Sequence, residues 1–124
     1  MTWRRIRLEL ARSPEFVNGS AEHGYVIVAP LDEAGRLDEP AWRAEKARAR
    51  VRRFWRGEDD ELGHLIHTRH RTWAFSYAPG EDDDEPIFHL ETHSLSPGEY
   101  VSVTEHDGET RTFRVVAAPA LEGG

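Results

Sequence analysis

Cysteine is absent from all 124 residues, so neither disulfides nor thiolate-bound zinc can hold this fold together, and apolar packing has to do so. No run is apolar for long enough to cross a bilayer as a helix, which argues against a membrane protein of that kind. The basic start, Met1 to Leu10, leads into no apolar core and no small-residue cleavage site. A secretory leader is therefore not expected, and a cytoplasmic location is. The catalytic signatures are also missing: there is no Gly-x-Ser-x-Gly elbow, no Walker loop, no Gly-x-Gly-x-x-Gly and no thiol nucleophile. Ser94, Ser96 and Ser102 have no evident triad partners.

Aromatic residues are what the chain does have, spread from Trp3 through Tyr25, Trp42, Phe54, Trp55, Trp73, Phe75, Tyr77, Phe88 and Tyr100 to Phe113. Each brings a large area to bury, and 124 residues suffice for one core. We expect one domain over 1–118 and a frayed tail over 119–124.

Periodicity reads mainly as strand. Ile6, Leu8 and Leu10 alternate with Arg5, Arg7 and Glu9 in a first strand over 3–10, and a near-continuous apolar strand follows at 25–29, ended by Pro30. Asp38 caps a short helix expected over 39–47, with Glu39 and Pro40 in its first turn. Strong helix formers leave open a rival helix over 39–56. From Ala49 the pattern alternates again, Ala49, Val51 and Trp55 against Arg48, Arg50, Arg52 and Arg56, with Arg53 and Phe54 as exceptions. Further strands are expected at 63–67, 72–77, 87–93, 100–105 and 110–117. Trp73, Phe75 and Tyr77 share one face, and Asp107-Gly108 forms a type I′ hairpin turn. The sum is a small antiparallel β-barrel, or a strongly bent sheet, of about eight short strands with one helix.

Charge is unevenly spread along the chain, whose formal net charge is -7. Residues 1–56 carry 12 Lys+Arg against 8 Asp+Glu, and residues 57–124 carry 4 against 15. In an up-and-down path alternate turns share one end of the barrel, which would gather Glu58, Asp59, Asp60, Glu61, Glu81, Asp82, Asp83, Asp84, Glu85, Asp107 and Glu109 into an acidic pole. That asymmetry suits either an interaction surface or mutual attraction between two halves of one domain. The runs lack the ligand spacing of an EF-hand, so they read as solvated turns or as a surface for a basic protein before they read as calcium or magnesium sites.

Two clusters carry more chemistry. On a strand, His89, Glu91 and His93 project from one face as a two-histidine, one-carboxylate set for a divalent metal, but in a row at about 7 Å spacings that needs a bend to converge. His64, His67 and His70 would share a face only on a helix and diverge on a hairpin. Arg48, Arg50, Arg52, Trp55 and Arg56 combine cations with an aromatic, the recipe for gripping single-stranded nucleic acid, which the chain's overall acidity opposes.

The stretch Pro97-Gly98-Glu99-Tyr100-Val101-Ser102-Val103 resembles the Pro-Gly-Gln-Tyr segment of ferredoxin-reductase-like flavin domains over seven residues. The Arg-x-Tyr-Ser/Thr flavin motif of those domains is missing, so the stretch is read as an ordinary strand entry. With Glu22-His23-Gly24-Tyr25, Ala29-Pro30-Leu31-Asp32 and the stretch Val51 to Asp60, it also makes the chain resemble a family of short bacterial proteins of unknown function. That resemblance implies a bacterial origin and one compact domain, and it supplies no site residues.

The leading expectation is a non-enzymatic β-barrel that binds a protein partner through its charged ends, with no cofactor, no membrane and no nucleic acid. The alternative is a metal-dependent enzyme using His89, Glu91 and His93. A barrel holding a small apolar ligand needs a cavity that sequence does not reveal.

Overall fold

Alternation at a period of two decides which side chains fill the interior, and the eight strands that carry it close into an antiparallel barrel in sequence order. The computed structural model describes residues 1–68, 71–77, 85–88 (backbone only) and 94–121. The strands are β1 Thr2–Leu10, β2 Ser20–Leu31, β3 Arg50–Trp55, β4 Glu61–His67, β5 Trp73–Ser76, β6 Glu85–Phe88, β7 Tyr100–Thr104 and β8 Thr110–Ala117. Each pairs with the next, and β1 pairs with β8 to complete the ring. The mainly β barrel expected from the sequence is the observed fold.

Ile6 and Leu8 from β1, Tyr25 and Ile27 from β2, Val51 from β3, Leu65 from β4, Phe75 from β5, Val103 from β7 and Phe113 and Val115 from β8 form the core. Tyr25 packs against Phe75 and Phe113 at centroid distances of 4.9 and 5.2 Å, so aromatic side chains fill the barrel at this level.

The local departures have physical causes. The strand expected at 25–29 extends from Ser20 to Leu31 and includes Pro30, which pairs with Trp3. Its missing N–H is no loss there, and its carbonyl accepts from Asp38 N at 3.0 Å. Helix α1 spans Glu39–Ala44, capped by Asp38, whose carboxylate accepts from Ala41 N at 3.0 Å. It stops short of 47 and does not run to 56. Glu45 leaves helical geometry at φ -142°, ψ 53°, and a 3-10 turn at Lys46–Arg48 leads into β3. The Asp107-Gly108 turn is not type I′: only Gly108 has positive φ, at 83°. Gly108 N donates to Glu105 O at 2.8 Å, the geometry of a three-residue loop with a left-handed last residue.

Residues 119–121, expected to fray, are held to β1. Arg5 N donates to Pro119 O and Leu121 N donates to Trp3 O, both at 3.0 Å. Strand β6 starts at Glu85, two residues before the expected Ile87, so Glu85 belongs to a strand rather than to an acidic turn.

Candidate functional site

The up-and-down path puts the 11–19 loop, the turn after β3 and the turn after β7 at one end of the barrel, and β5 ends and β6 begins there too. Inside that end sits a polar cluster that the sequence reading did not select. Arg53 is the cross-strand partner of Tyr25, and Arg111 is the partner of Val103, so both follow the inward parity of core residues. Glu105 continues the inward series of Val101 and Val103 just past β7. Its fully buried carboxylate accepts from Tyr25 Oη at 2.6 Å, Arg53 Nε at 2.8 Å and Arg111 Nη1 at 2.7 Å.

Burial alone would lower the pKa of either arginine, but hydrogen bonds and attraction from Glu105, with Asp107 helping at Arg111, more than offset it and hold both guanidiniums charged. The Trp55 ring lies under both cations, 4.3 Å from Arg53 and 5.5 Å from Arg111. His23 packs edge-on to Trp55 at 4.4 Å and meets Phe16 of the 11–19 loop at 4.7 Å. Burial lowers the His23 pKa below its usual value, against the raising influence of Glu22. Its Nδ1 lies 2.6 Å from Ser20 Oγ.

This arrangement explains where the acid of that end goes. Glu58 pairs with Arg53 at 3.2 Å, Asp60 with Arg52 at 3.1 Å, and Asp107 with Arg111 at 3.2 Å. Glu109 lies 3.9 Å from Arg111, and Glu61 lies 3.7 Å from His106. Asp59 is exposed at its turn. Residues 81–84 lie outside the described residues, and Glu85 is described by backbone alone. The described part of the acidic pole is thus largely matched by arginines of β3 and β8, so opposite charges attract within one domain.

The five residues of the basic and aromatic face separate. Arg48 sits in the 3-10 turn with its guanidinium 4.5 Å over Trp3, Trp55 belongs to the inner cluster, and Arg56 pairs with Glu22 at 3.2 Å. Arg50 and Arg52 stay together on the outer face of β3. His89, Glu91 and His93 lie outside the described residues, as does His70. His64 points outward beside Arg50, whereas His67 packs on Trp73 at 4.6 Å, so these two diverge as strand residues should. Among the described residues no group of three or more His, Asp or Glu is placed to hold a metal ion. No described helix is long and apolar enough to cross a membrane.

The outer wall supplies a second constellation. Arg7, Val26, Arg52 and Leu62 form one row across β1 to β4, and Arg5 faces Val28 in the next. Together with Arg50 they line an open groove of about 560 Å³. Its floor is valine, its two sides are arginine, and Leu62 at its margin is 70% exposed. Arg7 and Arg52 are both held over Phe54, at 4.5 and 5.7 Å, and each has a carboxylate partner, Glu9 and Asp60. Phe54 reaches its place because its cross-strand partner is Gly24, where a Cβ would lie 2.9 Å from the Phe54 ring. Arg5 and Arg50 are exposed and make no ion pair with a described carboxylate.

No protein-family model, curated protein or solved structure matches this chain.

Proposed function

We propose that this chain is a non-enzymatic binding domain that takes an acidic protein partner on its outer wall, in the groove framed by Arg5, Arg7, Arg50 and Arg52. The observation that carries the reading is the exposure of Arg5 and Arg50 beside an apolar valine floor, with no described carboxylate to satisfy them. The charged ends are weaker candidates, because their described carboxylates are largely occupied by the chain's own arginines. Guanidiniums suit carboxylates in particular, since their planar donors match two oxygens at once. The reading includes a bacterial, cytoplasmic setting.

The test is a titration with polyglutamate, followed by fluorescence anisotropy, at two ionic strengths about tenfold apart. Binding that weakens with salt, and is abolished in the double variant Arg5→Glu, Arg50→Glu, is expected. Equal binding by wild type and variant would refute it.

A further inference from the structure

The groove's dimensions restrict the shape of what fits it. Its sides are two columns of arginine, Arg5 and Arg7 on β1 and Arg50 and Arg52 on β3, with Val26 and Val28 of β2 between them. Neighbouring strands lie about 4.8 Å apart, so the columns stand roughly 10 Å from each other, and within a column the two arginines are about 7 Å apart. An α-helix is about 10–12 Å across with its side chains, and its residues at i and i+4 lie about 6 Å apart along the axis. Both spacings of the groove are therefore those of one helix lying along β2.

We propose that the occupant is an acidic amphipathic helix of a partner protein, its apolar stripe seated on Val26 and Val28 and its carboxylates on either flank paired chiefly with Arg5 and Arg50, the two that lack a described carboxylate partner. This rests on the binding role argued above and adds the form of the partner. An extended segment serves the groove less well. Its side chains alternate between two faces, so it cannot rest apolar groups on the floor and also present carboxylates to both sides. Nor can it gain ladder hydrogen bonds, because β1 to β4 are paired on both sides within the closed barrel. Single-stranded nucleic acid would need a stacking surface. The floor is valine, and Phe54 is already covered by the guanidiniums of Arg7 and Arg52.

Three probes test this on the intact chain. One is a labelled peptide with leucines at helical spacing flanked by glutamates, the second has the same composition reordered to alternate as a strand, and the third is a single-stranded oligonucleotide. The helical peptide is expected to bind, to gain helix signal in circular dichroism on binding, and to lose about tenfold in affinity to Arg5→Ala, Arg50→Ala. Leu62→Asp, at an exposed position, puts a competing carboxylate beside Arg52, is expected to weaken binding by a similar factor and gives a second variant that leaves the core untouched. If the reordered peptide binds equally well with the same dependence on Arg5 and Arg50, the helix falls and the acidic-partner groove stands. If neither peptide binds, or binding ignores both arginines, both readings fall. Tighter, arginine-dependent binding of the oligonucleotide would overturn the protein partner.

Discussion

Arg53 Nε donates to Glu105 Oε2 over 2.8 Å, and the two side chains are only 5% and 0% exposed. One carboxylate serves two guanidiniums and a phenol at the mouth of the barrel, and it ties β2, β3 and β8 to the end of β7. Two buried charges in contact are a weak source of net stability, because the desolvation of both offsets most of their attraction. Losing one partner is another matter.

Glu105→Gln keeps the size of the side chain and removes the countercharge of Arg53 and Arg111. We expect a loss of about 3 kcal/mol in chemical denaturation, the low end for a broken buried ion pair, because Arg53 keeps Glu58 and Arg111 keeps Asp107. In Arg53→Met, Glu105→Gln the loss should fall short of the sum of the singles by more than about 1 kcal/mol, since the two groups interact directly. Additive losses would show that the contact does not couple them.

His23 gives the fold a pH dependence in a mild range. Burial depresses its folded pKa below the 6.5 of an ordinary histidine, so the unfolded chain binds the proton more readily. Its contribution is complete above about pH 6.5 and shrinks as pH falls through that value toward the folded pKa. The melting temperature of the wild type should therefore drop between pH 7.5 and 5.5 by more than that of His23→Gln. Asp107 acts the same way lower down. The backbone N–H of Glu109, and then Arg111, hold its pKa below the usual 3.8, so its contribution fades only as pH falls through that lower range. Parallel curves for wild type and His23→Gln would count against the histidine.

Two tryptophans of similar burial should respond differently to the same change. Trp42 Nε1 donates to Leu65 O at 2.9 Å, while Trp3 Nε1 is buried without a hydrogen-bond partner among the described residues. Trp42→Phe strands a buried carbonyl and should cost about 1–3 kcal/mol beyond its lost packing. Trp3→Phe removes an unmet donor and should cost only the packing, so the difference between the two unfolding free energies is the quantity to measure.

Gly24 has no room for a side chain. A Cβ there would lie 1.9 Å from the carbonyl oxygen of Leu8, which is backbone and cannot swing away. Gly24→Ala should destabilise by about 3 kcal/mol or more by forcing β1 and β2 apart. Gly57, at φ 84° with open space around it, gives the contrast. Gly57→Asn should cost about 1 kcal/mol, from backbone conformation alone. Similar losses at both sites in urea unfolding would refute the steric account.

Much of this architecture was legible because the side-chain period of a strand is short and unambiguous. Ile6, Leu8 and Leu10 against Arg5, Arg7 and Glu9 located β1 and gave its inner face directly. The same rule held the signal for the buried cluster. Arg53 shares the parity of Val51 and Trp55, and Glu105 shares that of Val101 and Val103, so two charged residues of opposite sign fall at inward positions. Treating Arg53 as an exception to the alternation hid it. The groove was harder to see, because its arginines come from β1 and β3 and meet only through the register that sets Arg7 and Arg52 on either side of Val26. Register depends on packing between distant segments, and no local pattern carries it. The end of α1 at Ala44 was hidden for a similar reason. Helix propensity favours continuing through Lys46 and Arg48, and the pairing of β3 with β2 overrides it.

The seam that completes the ring joins Leu8 to Val115 and Leu10 to Phe113, strands from opposite ends of the sequence. On a ribosome, β1 can pair with β2 early, yet its other margin waits until β8, at Thr110–Ala117, has been made. Until then Arg5 and Arg7 lie beside an open strand margin, one that closure later removes. Contacts of such long range also slow folding, to roughly milliseconds or longer for β topologies. A nascent chain of this protein thus passes through a stage in which its incomplete sheet can accept a foreign strand, and release of β8 ends that exposure.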